Sequence, residues 1–386
     1  MFPMYPLTSH PCEELITTLT SKWRFLDLGD LPPVSTQVVY HAIAMAVDQG
    51  LSPSTIIFCR PSNPLVCIGY HQELDMEVDT EYCRVNNLPV VRRVLGGGAV
   101  YLDSNQLFYQ VVARRSEPEV PGYIEEIFKT FLAAPTKTYN DIGIRAQYRA
   151  INDIEVDGRK ISGSGATEIG TSAILTGNII FDFNFDEMTK ILRVPSEKFR
   201  DKVIKTLRER LTTVQRELGT SPNVEFVKRL LKENYESTLG IELVKGQLSQ
   251  TEVDLMKSLE EKYRSQGWLR LVENERQDLI QKRNLKISGR SYVGEASHKA
   301  PGGLVRVLVE TKDDKIEDIM ITGDFCFIPP DHVRSVEKDL RGEYLTKEIL
   351  ADRINRFYKE HSIESPGMTA EDVANAILAA SSKPIC

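Results

Sequence analysis

The stretch Arg92-Arg93-Val94-Leu95-Gly96-Gly97-Gly98-Ala99-Val100-Tyr101 decides the reading of this chain. Three consecutive glycines follow two arginines and precede an apolar, strand-like pair. Glycine has no Cβ, so such a run can bend sharply and let a ligand approach the backbone amides. Successive amides in a bend form an anion-binding nest, and the planar arginine fork suits phosphate. A tight strand-to-strand turn is the plainer reading of the same glycines. The run lacks the Gly-Lys-Ser/Thr ending of a P-loop and the spacing of a dinucleotide fingerprint, so it predicts a phosphate cradle of another kind.

Working outward, apolar spacing predicts a helix over 34–48, strands over 54–59 and 64–69, and a short helix over 81–87. A strand over 89–93 then leads into the glycines, with a strand over 106–113 and an amphipathic helix over 122–132 beyond them. A hairpin follows: Ile151 to Val156 alternates, Asp157-Gly158 is a type I′ turn pair, and Arg159 to Ser164 returns. A strand over 174–183 precedes a charged, mostly helical stretch from 186 to about 264, whose charges read as solvated helix faces. A second, smaller α+β unit begins near Gln281, with strands over 285–288, 303–310 and 315–323 and helices over 332–340, 346–361 and 370–380. The polar stretch between Trp268 and Leu285 separates a first domain, 1–275, from a second, 281–386.

With 386 residues, 41% hydrophobic and 27% charged, the chain has the composition of an ordinary globular protein. Its net charge of −7 and the lack of a Lys/Arg-rich block argue against a nucleic-acid partner. No apolar run is long enough to span a bilayer and the first residues do not read as a secretory signal, so the expectation is a cytoplasmic protein with no membrane partner. The six cysteines include no Cys-x-x-Cys pair and the six histidines are scattered, so a metal held by protein ligands is not expected. Magnesium arriving with a nucleotide would leave little trace in a sequence.

Lys160 sits on the return strand of the hairpin, just before Ile161-Ser162-Gly163. On a rigid strand beside glycine-rich backbone, a lysine can neutralise a phosphate or a developing oxyanion; taken alone, the better reading is a solvent-facing strand residue. Asn152 and Asp153 open the same hairpin, and Asp153 can hold Lys160, bind magnesium or cap a turn.

Taken in order, these segments resemble the lipoate–protein ligase A family. The resemblance rests on Arg92-Arg93 with Gly96 to Tyr101, on Asn152-Asp153-Ile154, and on Gly158-Arg159-Lys160-Ile161-Ser162-Gly163-Ser164. Upstream Ile68-Gly69-Tyr70-His71-Gln72-Glu73 and downstream Thr176-Gly177-Asn178-Ile179-Ile180 also occupy places of family motifs. Ala300-Pro301-Gly302-Gly303-Leu304 and Ile321-Thr322-Gly323-Asp324-Phe325 resemble marks of that family's accessory domain. The chain departs from the pattern at Tyr70, at Val94-Leu95, at Leu102 and at Thr176.

The resemblance implies an α+β fold: a mixed-sheet biotin/lipoyl ligase-like catalytic domain with a smaller C-terminal α+β accessory domain. It implies ATP, Mg2+ and lipoate as ligands, a lipoyl-AMP intermediate, and transfer to a lysine of an acceptor protein. That acceptor would be an H protein, a 2-oxo acid dehydrogenase acyltransferase, or a sulfur-oxidation lipoate-binding protein, met by a monomeric enzyme. Lys160 and Asp153 would be catalytic, with Asp153 a candidate magnesium ligand. Arg93, Gly96, Gly97, Gly98, Ala99, Val100, Tyr101, Asn152, Ser162, Gly163 and Gly177 would bind substrate or nucleotide. An apolar tunnel for the acyl chain would involve Val66, Ile68 and Val91. The rivals are an octanoyl or lipoyl transferase and a non-catalytic lipoate-binding regulator. The transferases use a cysteine nucleophile, and neither 146–151 nor 192–198 contains one.

Overall fold

The computed structural model describes residues 20–194, 196–283 and 291–382. Its largest element is an eight-stranded mixed sheet in the order β11-β1-β2-β6-β10-β9-β8-β7. The strands are β1 (Ser21–Leu31), β2 (Thr55–Pro61), β6 (Gln106–Arg114), β7 (Gln147–Arg149), β8 (Asp153–Val156), β9 (Arg159–Ile169), β10 (Ser172–Ile180) and β11 (Ile241–Lys245). β1 runs parallel to both β2 and β11, and the rest of the sheet is antiparallel. A small sheet, β4-β3-β5, is built from β3 (Leu65–Ile68), β4 (Val90–Arg92) and β5 (Val100–Leu102).

Both faces of the large sheet are covered, which is why β6 reads as an almost unbroken apolar run. Alternate residues Leu107, Tyr109, Val111 and Ala113 enter the main core, where Phe128, Phe131, Leu231 and Tyr235 meet them from the helices Ile124–Phe131 and Val224–Leu239. On the other face Val112 packs against Val39, Tyr40 and Ile43 of the helix Ser35–Asp48. That helix is buried on nearly all sides because the helix Gln250–Arg264 covers its outer surface.

Three strands of this sheet, β1, β7 and β11, escape the sequence reading. β1 is interrupted by a register shift between Asp27 and Asp30, and Gly29 has a φ of 61°, so its alternation is broken. β11 lies inside the stretch expected to be mostly helical; it is an edge strand with Glu242, Val244 and Lys245 exposed, and only five residues long. The expected hairpin does form, with Asp157 at φ 49° and Gly158 at φ 76°, both in the left-handed region that a type I′ turn requires.

The second domain is an antiparallel sheet of β12 (Ser291–Ala300), β13 (Gly303–Lys312) and β14 (Lys315–Gly323), backed by helices His332–Leu340, Lys347–Glu360 and Ala370–Ser381. Val305, Val307 and Val309 face those helices, and Leu308 faces the other way. The strand expected over 285–288 lies outside the described residues, and most of β12 was not anticipated. Val272 and Leu279, on either side of residue 275, share a small core with Val293, Leu308 and Met320, so the connector is packed against the second sheet. No helix among the described residues is long and apolar enough to cross a membrane.

Candidate active site

The glycine loop spans the gap between β4 and β5, both of which pair with β3. Its glycines serve close backbone approach on two sides. A Cβ on Gly69 would stand 1.9 Å from the carbonyl oxygen of Gly97, and one on Gly96 would stand 2.3 Å from that of Phe325 in the second domain. Gly97 has a φ of 91°, which a side chain would strain.

The two arginines before the loop have separate tasks. Arg92 is fully buried and donates to the carbonyls of Leu269, Gly69, Tyr70 and Gln72 at 2.7–3.1 Å. Burial pulls its guanidinium down to about 10, opposed by the Glu273 carboxylate at 3.4 Å, so it remains charged at neutral pH. Arg93 reaches the cavity wall, where it donates to the carbonyls of Gly96, Gly98 and Cys67. Its fork fixes the shape of the glycine loop and adds a positive charge to the wall.

The lysine faces this loop because of a β-bulge. Asp153 pairs with Gly163 and Ile154 with Ser162, but Glu155 pairs with Lys160, so Ile161 is the extra residue. Lys160 and Gly163 are an odd number of positions apart and would lie on opposite faces of a regular strand; the bulge brings both to the cavity. Lys160 forms an ion pair with Asp153, and its stem runs beside Gly163. Asn152 locks the start of the hairpin by donating to the Ser164 carbonyl at 2.8 Å, while the Ser164 hydroxyl donates back to the Asn152 carbonyl. Asn178 accepts from the Gly163 amide and donates to Gln106, both at 2.9 Å. A Cβ on Gly177 would stand 2.3 Å from the buried Tyr109 hydroxyl, which explains glycine at that position.

Arg93, Gly96, Gly97, Gly98, Ala99, Val100, Tyr101, Asn152, Asp153, Lys160, Gly163 and Gly177 all line one cavity of about 480 Å³. Ser162 does not: it is buried behind the wall, its hydroxyl donating to the Asn178 carbonyl at 2.6 Å and lying 2.8 Å from the Tyr109 hydroxyl. Nor do Val66, Ile68 and Val91 line the cavity. They are buried in the cores on the two sides of the small sheet, and Cys67, between the first two, is the residue that reaches the wall. The Cys67 thiol is pushed up by burial, against the opposing pull of Arg93.

The second domain completes the cavity with Lys299, Pro301, Gly302, Gly303 and Asp324, a contribution the sequence reading missed. Gly303 has a φ of 145°, and the Asp324 carboxylate accepts from the Leu304 amide, so the turn and the carboxylate are one unit. Upstream His71 joins the domains: its carbonyl accepts from the Gly323 amide at 3.1 Å, and its ring stacks on Phe325 with centroids 4.8 Å apart. Among the described residues no group of three His, Cys, Asp or Glu side chains is arranged to hold a metal ion.

A glycine loop and a lysine-bearing hairpin face each other across one cavity of a mixed sheet, the arrangement expected of a lipoyl ligase-like catalytic domain. The chain belongs to the lipoyl protein ligase A/B family: residues 36–236, over half its length, match the model of that family's catalytic domain. Residues 291–377 match the bacterial lipoate protein ligase C-terminus. The octanoyltransferase LipM of Moorella thermoacetica is 27% identical over 267 residues, covering 64% of this chain and 97% of LipM. The lipoate-protein ligase LplJ of Bacillus subtilis is 27% identical over 320 residues, covering 82% of this chain and 88% of LplJ. Among solved structures, the bi-partite lipoate protein ligase of Thermoplasma acidophilum, described with its E2 lipoyl domain, aligns with a TM-score of 0.58 and 26% identity over 65% of this chain and 97% of its own.

Proposed function

We propose that this chain is an ATP-dependent lipoate–protein ligase. A lipoate carboxylate oxygen attacks the α-phosphorus of ATP and the bond to pyrophosphate breaks, giving lipoyl-AMP. The ε-amine of an acceptor lysine then attacks the acyl carbon, loses a proton, and AMP leaves with the bonding electrons.

The observation that carries this reading is Lys160, held by Asp153 in a cavity closed by the second domain. Carboxylate and polyphosphate repel each other, and Arg93, Lys160 and Lys299 supply positive charge where they would meet. Lys160 would stabilise charge on the α-phosphate and on the acyl carbonyl. Asp153 would orient it and serve as a protein carboxylate for a magnesium ion otherwise held by phosphate oxygens. The glycines and the backbone of Ala99, Val100 and Tyr101 would lie against lipoate and nucleotide, with Asn152, Gly163 and Gly177 opposite. The proposed location and state are the cytoplasm and a monomer.

The transferase reading has the similarity to LipM behind it. Two features favour the ligase. The second domain resembles a ligase C-terminus, and the alignment with LplJ runs over 82% of the chain whereas LipM is almost used up by 64% of it. The cysteine at the cavity, Cys67, has its thiol fully buried and pushed up, unlike an activated nucleophile. Incubation with lipoate, ATP and Mg2+ should release pyrophosphate before any acceptor is added. Transfer from octanoyl-acyl carrier protein with no pyrophosphate release would overturn the reading.

A further inference from the structure

Two Lys–Asp pairs line the cavity, one from each domain. Lys160 and Asp153 belong to the hairpin of the first domain. Lys299, near the end of β12, and Asp324, just past β14, belong to the second. Strand alternation aims Lys299 at the cavity. Ala296, His298 and Ala300 of β12 turn to the helices of their own domain, where the two alanines join the core and His298 meets Asp372 at 2.9 Å. Glu295 and Lys299 turn the other way: Glu295 meets Arg283 at 3.2 Å, and Lys299 reaches the cavity wall. Within the pair the carboxylate is fixed and the ammonium is loose. Asp324 Oδ1 accepts from the Leu304 amide, and its Oδ2 stands 3.8 Å from where a Cβ on Gly98 would be, so the carboxylate lies against the end of the glycine loop. Lys299 Nζ is 3.9 Å from Oδ1, and its side chain is 68% exposed. An ion pair so long and so exposed adds little to stability.

The other cations of the wall are committed. Among the described residues, Arg93, Lys160 and Lys299 are the cations that line the cavity. Arg93 spends its fork on the carbonyls of Gly96, Gly98 and Cys67. Lys160 is held by Asp153 beside Gly163, where the α-phosphate and the acyl carbonyl are placed. A triphosphate carries most of its charge beyond the α-phosphate, and a further cation has to meet it there. Lys299 is the one left to do so. It comes from the part of the chain that matches a lipoate protein ligase C-terminus.

We propose that Lys299, set in place by Asp324, binds the β- and γ-phosphates of ATP and stabilises them as they leave as pyrophosphate. The inference rests on the ligase reading and deepens it, giving the second domain a residue on the leaving group. When the lipoate oxygen bonds to the α-phosphorus, the bridging oxygen departs with the bonding electrons and negative charge builds on the β-phosphate. A lysine placed there lowers the cost of that charge. The long contact with Asp324 lets the ammonium turn to phosphate oxygens, with which it makes short charge-assisted hydrogen bonds. The Asp324 carboxylate keeps its bond from the Leu304 amide meanwhile. The second step, transfer from lipoyl-AMP to the acceptor lysine, contains no pyrophosphate and makes no use of Lys299.

The test uses the full-length protein with Lys299→Ala and Lys299→Arg. In titration calorimetry Lys299→Ala should bind ATP about tenfold more weakly and AMP as tightly as the wild type. Its pyrophosphate release from lipoate and subsaturating ATP should slow about 10- to 100-fold. Lys299→Arg keeps the charge and should recover most of both losses. Transfer from chemically prepared lipoyl-AMP to an apo lipoyl domain should run at the wild-type rate in the alanine variant. The side chain is exposed, so both variants should fold, and a urea melt checks this. Equal weakening of ATP and AMP overturns the proposal, as does slowed transfer from lipoyl-AMP, since either would put Lys299 on the nucleoside or the acceptor. Unchanged ATP affinity and unchanged release overturn it too, and leave the ligase reading standing. A wild-type protein that binds no ATP and releases no pyrophosphate would overturn the ligase reading and this subsite with it.

Discussion

Lys160 and Asp153 form an ion pair across the β8–β9 hairpin, and they share a face only because Ile161 is bulged out of register. The pair lines the cavity and is about one-third exposed, with side-chain exposures of 35% and 30%. Pairs of this kind contribute roughly 0–1 kcal/mol to stability, so the bulge serves the placement of charge.

Lys160→Ala should therefore leave the unfolding midpoint almost unchanged and lower the rate of pyrophosphate release about 100- to 1,000-fold, the loss typical of removing one charge-stabilising group. Stopped-flow pyrophosphate detection beside a urea melt separates the two effects. Lys160→Ala with wild-type release would remove the residue from the mechanism.

Arg92 should behave in the opposite way. Arg92→Leu leaves the carbonyls of Gly69, Tyr70, Gln72 and Leu269 buried without their donor, and Glu273 without its cation. A loss of about 3–5 kcal/mol is expected in urea unfolding. The two neighbouring arginines are alike in sequence, yet only Arg93 reaches the cavity.

The glycine loop gives a paired prediction. Gly96→Ala drives a Cβ into the backbone oxygen of Phe325, which cannot swing away, and should cost roughly 1–3 kcal/mol and loosen the second domain. Gly98→Ala meets only Asp324 at 3.8 Å, an ordinary contact, and should be close to neutral in stability. Unfolding midpoints of the two variants check this; equal losses would mean that the domains do not pack as described.

Acid should also weaken the join between the domains. His71 is buried against Phe325, and burial lowers its pKa from 6.5 to about 3. The unfolded chain binds that proton and the fold does not, so the contribution is full above pH 6.5 and drains away as pH falls toward 3. The slope is about 1.4 kcal/mol per pH unit per group. His41, lowered to about 4, adds to the slope in the same direction. His71→Phe should flatten the loss of stability between pH 6 and pH 4 without abolishing it; an unaltered slope would clear His71 of the effect.

How much of this was legible in the sequence follows from what each signal depends on. The hairpin was readable because Asp157-Gly158 is local turn chemistry, and β6 because both its faces are covered. β1 and β11 were not: β11 takes its partner, β1, from over 200 residues away, and β1, which also pairs with the nearby β2, is broken by its register shift. The motifs brought the loop and Lys160 into one site, but strand parity alone would have aimed Lys160 away from Gly163; the bulge is a tertiary fact. Val66 and Ile68 read as tunnel residues by position and proved to be core, because the small sheet turns Cys67 to the cavity in their place. The second domain's share of the wall was hidden, as it depends on how two cores meet.

The matched catalytic range, 36–236, begins after β1 and ends before β11, and those two strands pair with each other. On the ribosome, β1 is therefore synthesised long before the strand that covers its outer edge. About 210 residues separate Leu31 from Ile241, roughly 10–40 s of elongation at 5–20 residues per second. Any sheet that forms from β1 and β2 in that interval has an uncapped parallel edge, open to pairing with other chains. A recombinant fragment trimmed to 36–236 loses both strands and exposes β2 instead, so a stable form of this domain should start before Ser21 and run through Lys245.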